Sequence, residues 1–286
     1  MKRIGLIVKN GSPEAVETAA SVAAWITGRG GEVYACQGLG LECKDIVKVV
    51  SGELSDNIDV LLVLGGDGTM LSAARLLDGA RIPILGVNLG GLGFLTAIRT
   101  AEMTPLLERV MKDEFVTEER MALDVTVRRP GGEILRHRVL NDAVIKGVSA
   151  RLIRLETRIN KEYITTYRAD GLIVATPTGS TAYSLSAAGP ILYPTIHSII
   201  VAPICPFNLT NRPVVIPDWM TVEVVVPQGQ SGVQLILDGQ VDTVLMPGDT
   251  VEVNRSVAGV WLVKYEGKGY FEILRERLMW EPKQER

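Results

Sequence analysis

Leu61-Leu62-Val63-Leu64-Gly65-Gly66-Asp67-Gly68-Thr69-Met70-Leu71 is an apolar run that stops at three glycines enclosing one carboxylate. Four consecutive large aliphatic residues ending at Gly suit a strand buried on both faces. From Met70 onward the apolar residues change to helical spacing through Leu71, Ala74 and Leu77. The stretch therefore predicts a strand, a tight loop and a helix start. In open α/β sheets ligands bind at the carboxyl ends of strands, where glycines let backbone N–H groups approach an anion near a helix N-terminus. A carboxylate repels phosphate, so Asp67 has two readings. Either Asp67 or Thr69 caps the helix, or Asp67 is a base or metal-linked ligand beside phosphates, with Mg²⁺ screening the charge.

Upstream, residues 4–8 read as a buried strand, and Ser12 with Pro13 opens a helix through Val16, Ala20, Ala23 and Ile26 that Gly28 and Gly30 end. Residues 33–35 make a short second strand. Downstream, residues 81–87 supply another strand, followed at once by a second glycine loop, Asn88-Leu89-Gly90-Gly91-Leu92-Gly93-Phe94-Leu95. The β-α-β alternation predicts a parallel sheet with helices on its faces. Neither loop matches G-x-G-x-x-G, and no G-x-x-x-x-G-K-[ST] occurs, which removes the ordinary Rossmann and Walker phosphate loops.

After a helix around residues 104–112 the pattern changes near Glu119. Leu123, Val125 and Val127 alternate with polar residues, Pro130-Gly131-Gly132 makes a turn, and residues 139–145 return as a strand. Residues 153–159, 163–167, 172–175, 221–226, 233–237, 250–254 and 260–265 continue in short strands. This is the style of hairpins, so a Rossmann-like α/β domain over residues 1–100 is expected to precede a mostly antiparallel β-sandwich over 101–265. The helical spacing from Tyr270 to Trp280 suggests that residues 266–286 pack back on the first domain.

Composition narrows the function. A chain of 286 residues that is 47% apolar has room for two filled cores. A net charge of -3 and a pI near 5.6 give no electrostatic footprint for nucleic acid or for an anionic membrane surface. No apolar segment approaches the ~20 residues that span a bilayer. Cys36, Cys43 and Cys205 have no C-x-x-C spacing, which fits a reducing, cytoplasmic compartment. With only His137 and His197, neither an HExxH zinc site nor a histidine-based triad can be assembled. His197 is expected in a loop or at a strand edge.

Two stretches of the β region are not explained by strand propensity. Asn141-Asp142 sets an amide and a carboxylate between apolar flanks, as a backbone-satisfied bulge or as a pair grasping ribose hydroxyls or an adenine edge. Arg168-Ala169-Asp170-Gly171 and the run from Thr176 to Pro190 crowd small hydroxyl residues and glycine together. That composition suits a loop with a capped helix start, or a backbone that a flat ligand approaches closely.

In order and approximate spacing, these elements resemble NAD kinase: Leu64-Gly65-Gly66-Asp67-Gly68-Thr69, the Asn88 loop, Asn141-Asp142, Asp170-Gly171, and Thr178-Gly179-Ser180-Thr181-Ala182-Tyr183 on to Gly189-Pro190. Pro203-Ile204-Cys205-Pro206, Asn211-Arg212-Pro213, Asp238-Gly239-Gln240 and Phe271-Glu272-Ile273-Leu274-Arg275 extend the resemblance over nearly the whole chain. The GGDGT element is shared with diacylglycerol kinases and, more loosely, with phosphofructokinases; the Asn-Asp pair and the TGSTAYSLS stretch single out NAD kinase.

The resemblance implies a Rossmann-like domain and a β-sandwich that bind NAD between them, with Mg²⁺-dependent phosphoryl transfer from ATP or polyphosphate to the 2'-hydroxyl of the adenosine ribose. It implies that Asp67 is the base and that Gly66 and Gly68 approach phosphates. Asn141 and Asp142 would hold the adenosine end, and Thr181, Ala182, Tyr183, Ser184, Leu185 and Ser186 would line the adenine and ribose pocket. Arg168 and Asp170 would lie toward the nicotinamide, reaching across a subunit boundary of a homodimer or homotetramer, and Gln240 near the dinucleotide. Departures are Phe207, where bacterial members commonly have His; Asp142, where many have Glu; and Ala188, in place of a frequent Gly. A lipid or sugar kinase and a non-catalytic dinucleotide sensor are the rival expectations.

Overall fold

The computed structural model describes residues 1–37, 43–264 and 266–280. The chain forms two compact units, one built from residues 1–119 together with the chain from Val260 onward, the other from residues 120–259. The divisions fall at 119/120 and 259/260, against 100/101 and 265/266 from the sequence pattern.

The first unit begins with β1 (Arg3–Val8), α1 (Pro13–Thr27), β2 (Glu32–Cys36) and β3 (Ile46–Val49). Ser12 caps α1, its Oγ accepting from the Ala15 N–H at 3.3 Å, with Pro13 in the first turn where its missing N–H costs nothing. After the single turn α2 (Leu54–Asn57) come β4 (Val60–Leu64), α3 (Asp67–Leu77), β5 (Ile84–Asn88), the two-residue β6 (Ile98–Arg99), α4 (Thr100–Met111) and β7 (Thr117–Arg120). Strands β3, β2, β1, β4 and β5 lie side by side in parallel. All five residues of β4 are buried, as expected for a strand covered on both faces. Helix α4 belongs to this unit because Met103, Leu106, Leu107 and Val110 join the core that α1 and the sheet share.

The second unit holds β8 (Leu123–Arg128), β9 (Ile134–Val139), β10 (Asp142–Gly147), β11 (Ile153–Ile159), β12 (Glu162–Ala169) and β13 (Gly171–Ala175). A 3₁₀ turn (Thr178–Thr181) and α5 (Tyr183–Ser186) follow, then β14 (Ser198–Ile204), β15 (Val214–Pro217), β16 (Val222–Val225), β17 (Val233–Leu237), β18 (Val241–Leu245) and β19 (Thr250–Arg255). They form two sheets, ordered β12-β11-β16-β19-β8-β9 and β15-β14-β13-β10-β17-β18. Neighbours within each are antiparallel. Alternate residues of both sheets, among them Val125, Leu155, Val224 and Val253 from one and Ile145, Val174, Val201 and Leu235 from the other, fill a single core. The expected α/β domain and antiparallel sandwich are the observed fold classes.

Three expectations change. Residues 139–145 are not one strand: β9 ends in one sheet, β10 begins in the other, and residues 140–141 cross between them. Strand β14, absent from the sequence reading, is buried along its whole length. Pro203 sits in it without breaking a ladder, because it pairs with Leu172 on one side while β15 on the other side reaches only Val201. Finally, β20 (Val260–Val263) is not a sandwich strand; it pairs in parallel with β5, Leu262 opposite Ile84, and lies between β5 and β7. A lone quartet of apolar residues carries no period that assigns it to a sheet, and the Ile84 end of β5, which β6 does not reach, decides. Tyr265 of that expected strand lies outside the described residues. The expected tail helix is α6 (Tyr270–Leu278), which buries Ile273 and Leu274; residues 281–286 of the tail lie outside the described residues.

Candidate active site

In the first unit, β4 delivers its chain end to Gly65-Gly66, and α3 begins at Asp67. The N-cap is Gly66, with no side-chain cap bond, so neither Asp67 nor Thr69 caps the helix. The Asp67 carboxylate turns instead to the second glycine loop. Oδ2 accepts from the Phe94 N–H at 2.8 Å, while Oδ1 accepts from the Leu95 N–H at 3.0 Å, the Thr96 N–H at 3.2 Å and the Thr96 hydroxyl at 3.1 Å. Donors from the loop thus compensate the charge that made Asp67 look misplaced in a phosphate loop.

The loop is built to reach it. Asn88, 6% exposed, closes the loop on itself: its Nδ2 donates to the Gly91 carbonyl at 2.6 Å and to Thr96 Oγ1 at 2.9 Å, and its Oδ1 accepts from the Gly90 N–H at 2.7 Å. A Cβ on Gly93 would land on Asp67 Oδ1 and Thr96 Oγ1, and one on Gly65 would land on Thr69 Oγ1. Glycine is required at both by close approach, not by a positive φ. Gly68, in the first turn of α3, is exposed to solvent.

In the second unit, the crossover at residues 140–141 and the start of α5 open onto a cavity of about 370 Å³, lined by Asn141, Asp142, Val144, Lys146, Ala182, Tyr183, Ile236, Asp238 and Gly239. Thr176 ties the two segments together, its hydroxyl donating to the Leu140 carbonyl at 2.6 Å and accepting from the Gly179 N–H at 3.0 Å. A Cβ on Gly179 would strike the Asn141 carbonyl, so only glycine permits the contact. Asp142 is 4% exposed, and burial, with a further push from the Asp238 carboxylate, raises its carboxyl to about 7. The Tyr183 N–H donates to it and pulls the other way.

The structure brings Asn141, Asp142, Ala182 and Tyr183 to this cavity. Thr181, Ser184, Leu185 and Ser186 belong to the same turn and helix without lining it; Ser184 is buried. Gln240 is exposed just beyond Gly239. Arg168 and Asp170 are exposed at the end of β12, where the guanidinium stacks on the Phe207 ring at 4.5 Å, so the residue that departs from the bacterial pattern is the partner of that arginine. The sequence reading missed Val144, Lys146, Ile236, Asp238 and Gly239; the Asp238-Gly239 turn between two strands was the available signal. His197 precedes β14 and is exposed, its Nδ1 2.9 Å from Asp218 Oδ2. Among the described residues no three His, Cys, Asp or Glu side chains converge as a metal-holding set, and no helix is long and apolar enough to cross a membrane.

Residues 4–115 match the ATP-NAD kinase N-terminal domain family, and residues 140–265 match the ATP-NAD kinase C-terminal domain family. The NAD kinase of Syntrophotalea carbinolica is 45% identical over 282 residues, covering 98% of this chain and 99% of the relative. That of Geobacter sulfurreducens is 46% identical over 285 residues, with the same coverage. The yeast NADH kinase, solved as a complex with NADH, superposes with a TM-score of 0.91 at 25% identity, covering 100% of this chain and 89% of that one. An Archaeoglobus fulgidus NAD kinase shares the fold with a TM-score of 0.75 at 24% identity, over 97% and 98% of the two chains.

Proposed function

The chain belongs to the NAD kinase family, and we propose that it transfers the γ-phosphoryl group of ATP to the 2'-hydroxyl of the adenosine ribose of NAD, with Asp67 as the general base. Supporting this most directly is the Asp67 carboxylate, held at the end of β4 by four donors from the second glycine loop. Oδ2 accepts a bond from the Phe94 N–H and, as a carboxylate oxygen, has lone-pair capacity left for a hydroxyl. As that hydroxyl attacks phosphorus, its proton passes to Asp67, the new P–O bond forms, and the bond to the leaving diphosphate oxygen breaks. Phosphoryl transfer asks for alignment and charge compensation more than covalent help, which a pinned carboxylate and glycine-lined backbone are suited to give.

In this reading Gly66 and Gly68 leave room for the donor's phosphates, and Asn141, Asp142, Ala182 and Tyr183 take the adenosine of NAD. Thr181, Ser184, Leu185 and Ser186 support that pocket, while Arg168, Asp170 and Gln240 serve the rest of the dinucleotide. Mg²⁺ would be held chiefly by the donor's phosphate oxygens, since a cation that keeps several waters needs at most one or two carboxylates rather than a protein cage, and it would supply neutralisation of the phosphate charge. Polyphosphate is the alternative donor. The free thiols of Cys36, Cys43 and Cys205 support a reducing, cytoplasmic setting, and the exposed Val214 and Val215 on the edge strand β15 support a homodimer or homotetramer.

An NADP⁺-formation assay with NAD, Mg²⁺ and each donor in turn tests the reaction, with ATP the expected donor. Asp67→Asn is expected to lower turnover by roughly 10² to 10⁴ with a much smaller loss of NAD binding. Turnover near that of the wild type would leave Asp67 as a structural anchor for the second loop and remove it as the base.

A further inference from the structure

Between β17 and β18 the chain turns through Asp238, a residue 8% exposed and held at a φ of 50°. Its carboxylate bonds outside its own hairpin. Oδ2 accepts from the Leu140 N–H at 3.0 Å, and Oδ1 accepts from the Asn141 N–H at 2.7 Å and the Asp142 N–H at 3.2 Å, while the Asp238 N–H donates to the Asp142 carbonyl at 3.0 Å. Three successive backbone donors on one carboxylate make an anion nest supplied from within the chain. These donors need it, because residues 140–141 lie where the chain leaves one sheet for the other.

We propose that Asp238 is a positioning residue for the dinucleotide: by gripping the backbone of residues 140–142 it sets Asn141 and Asp142 toward the adenosine ribose, and its charge governs how Asp142 receives the ribose hydroxyls. This rests on the reading that Asn141 and Asp142 hold the adenosine end of NAD. Asp238 and Lys146 line the same cavity as Asp142, and Tyr183 offers its N–H. The flanking strands β13 (Gly171–Ala175) and β17 (Val233–Leu237) carry no titratable side chain. Burial first, and then Asp238, put the Asp142 carboxyl at about 7. Ionised Asp142 accepts ribose hydroxyls, so NAD affinity should rise as pH rises through that region. Removing the neighbouring charge should move the midpoint to lower pH.

Asp238→Asn isolates the effect, because asparagine tolerates a left-handed backbone but keeps only one acceptor oxygen for the three N–H groups. Calorimetry of NAD binding to the full chain from pH 5.5 to 8.5 is expected to show roughly 10-fold weaker binding, the scale of one bond to a charged acceptor. The midpoint should move down in pH, and the loss should fall on Kd and KM rather than on turnover at saturating NAD. An unchanged Kd, or an unmoved midpoint, overturns the proposal. Asn141→Ala and Asp142→Asn are measured in parallel. If neither weakens NAD binding, the adenosine reading itself fails; if both do and Asp238→Asn does not, only the role of Asp238 fails. Should Asp238→Asn not fold, the wild type decides. Slow hydrogen exchange at the amides of Leu140, Asn141 and Asp142 with a pH break in NAD affinity near 7 supports the proposal, and fast exchange or a flat profile overturns it.

Discussion

Asp142 shows how a buried carboxyl can cost the fold stability. Its carboxyl titrates at about 7 in the folded chain and near 4 when unfolded, so between those values the folded state binds more protons. The stability this group contributes is therefore full below about pH 4 and is lost as pH rises through about 7. Replacing it with asparagine keeps an oxygen for the Tyr183 N–H and removes the buried charge. We expect ligand-free Asp142→Asn to be more stable than the wild type at pH 8 in urea unfolding, by up to about 4 kcal/mol for a shift of this size, with the gain vanishing toward pH 4. Equal stability at pH 8 would mean that the Asp142 charge is solvated and that its position near Asp238 carries no penalty. That Asp142 matters was legible in the sequence, because a polar pair between apolar flanks has to find partners. Which partner was not legible, since Asp238 lies 96 residues away and no local pattern links the two.

At the scale of elements, the two glycine loops act as one device. The Asn88 loop is self-closed, and its N–H groups end on Asp67, 27 to 29 residues earlier. Gly93 is the hinge of this arrangement in the steric sense, because any Cβ there occupies the space of the Asp67 carboxylate and the Thr96 hydroxyl. Gly93→Ala is therefore expected to leave the fold intact and to push the carboxylate off its donors, lowering turnover by about 10²-fold, the cost of an ångström-scale misplacement of a reacting group. Steady-state kinetics beside a circular dichroism spectrum measure it; normal turnover would show that the loop does not set the proposed base. Strand ends marked by glycine and alternating strands such as β8 and β11 were readable because each pattern is local. Strands β14 and β20 were not, since Pro203 reads as a breaker until the short β15 is known, and a buried apolar quartet fits either sheet.

For the whole molecule the consequence of the topology is an asymmetry between the two units. The second is a continuous insertion whose ends meet: Leu123 of β8 pairs with Arg255 of β19, and the Ser256 N–H donates to the Ala122 carbonyl at 2.9 Å. Its core draws wholly on residues 121–253. The first unit is discontinuous, because β20 sits between β5 and β7, and Val263 belongs to the core of α1 and α4. A fragment of residues 120–259 should therefore fold alone, whereas residues 1–119 alone leave the Ile84 end of β5, which β6 does not reach, and the facing edge of β7 without the strand between them, and expose an apolar gap. We expect the first fragment to be soluble, rich in strand by circular dichroism and cooperative in thermal melting, and the second to aggregate. Recovery of 120–259 only as an unfolded or aggregated chain would mean that the sandwich depends on contacts that its own core does not provide, and a well-folded 1–119 would mean that β20 is dispensable to the sheet it completes.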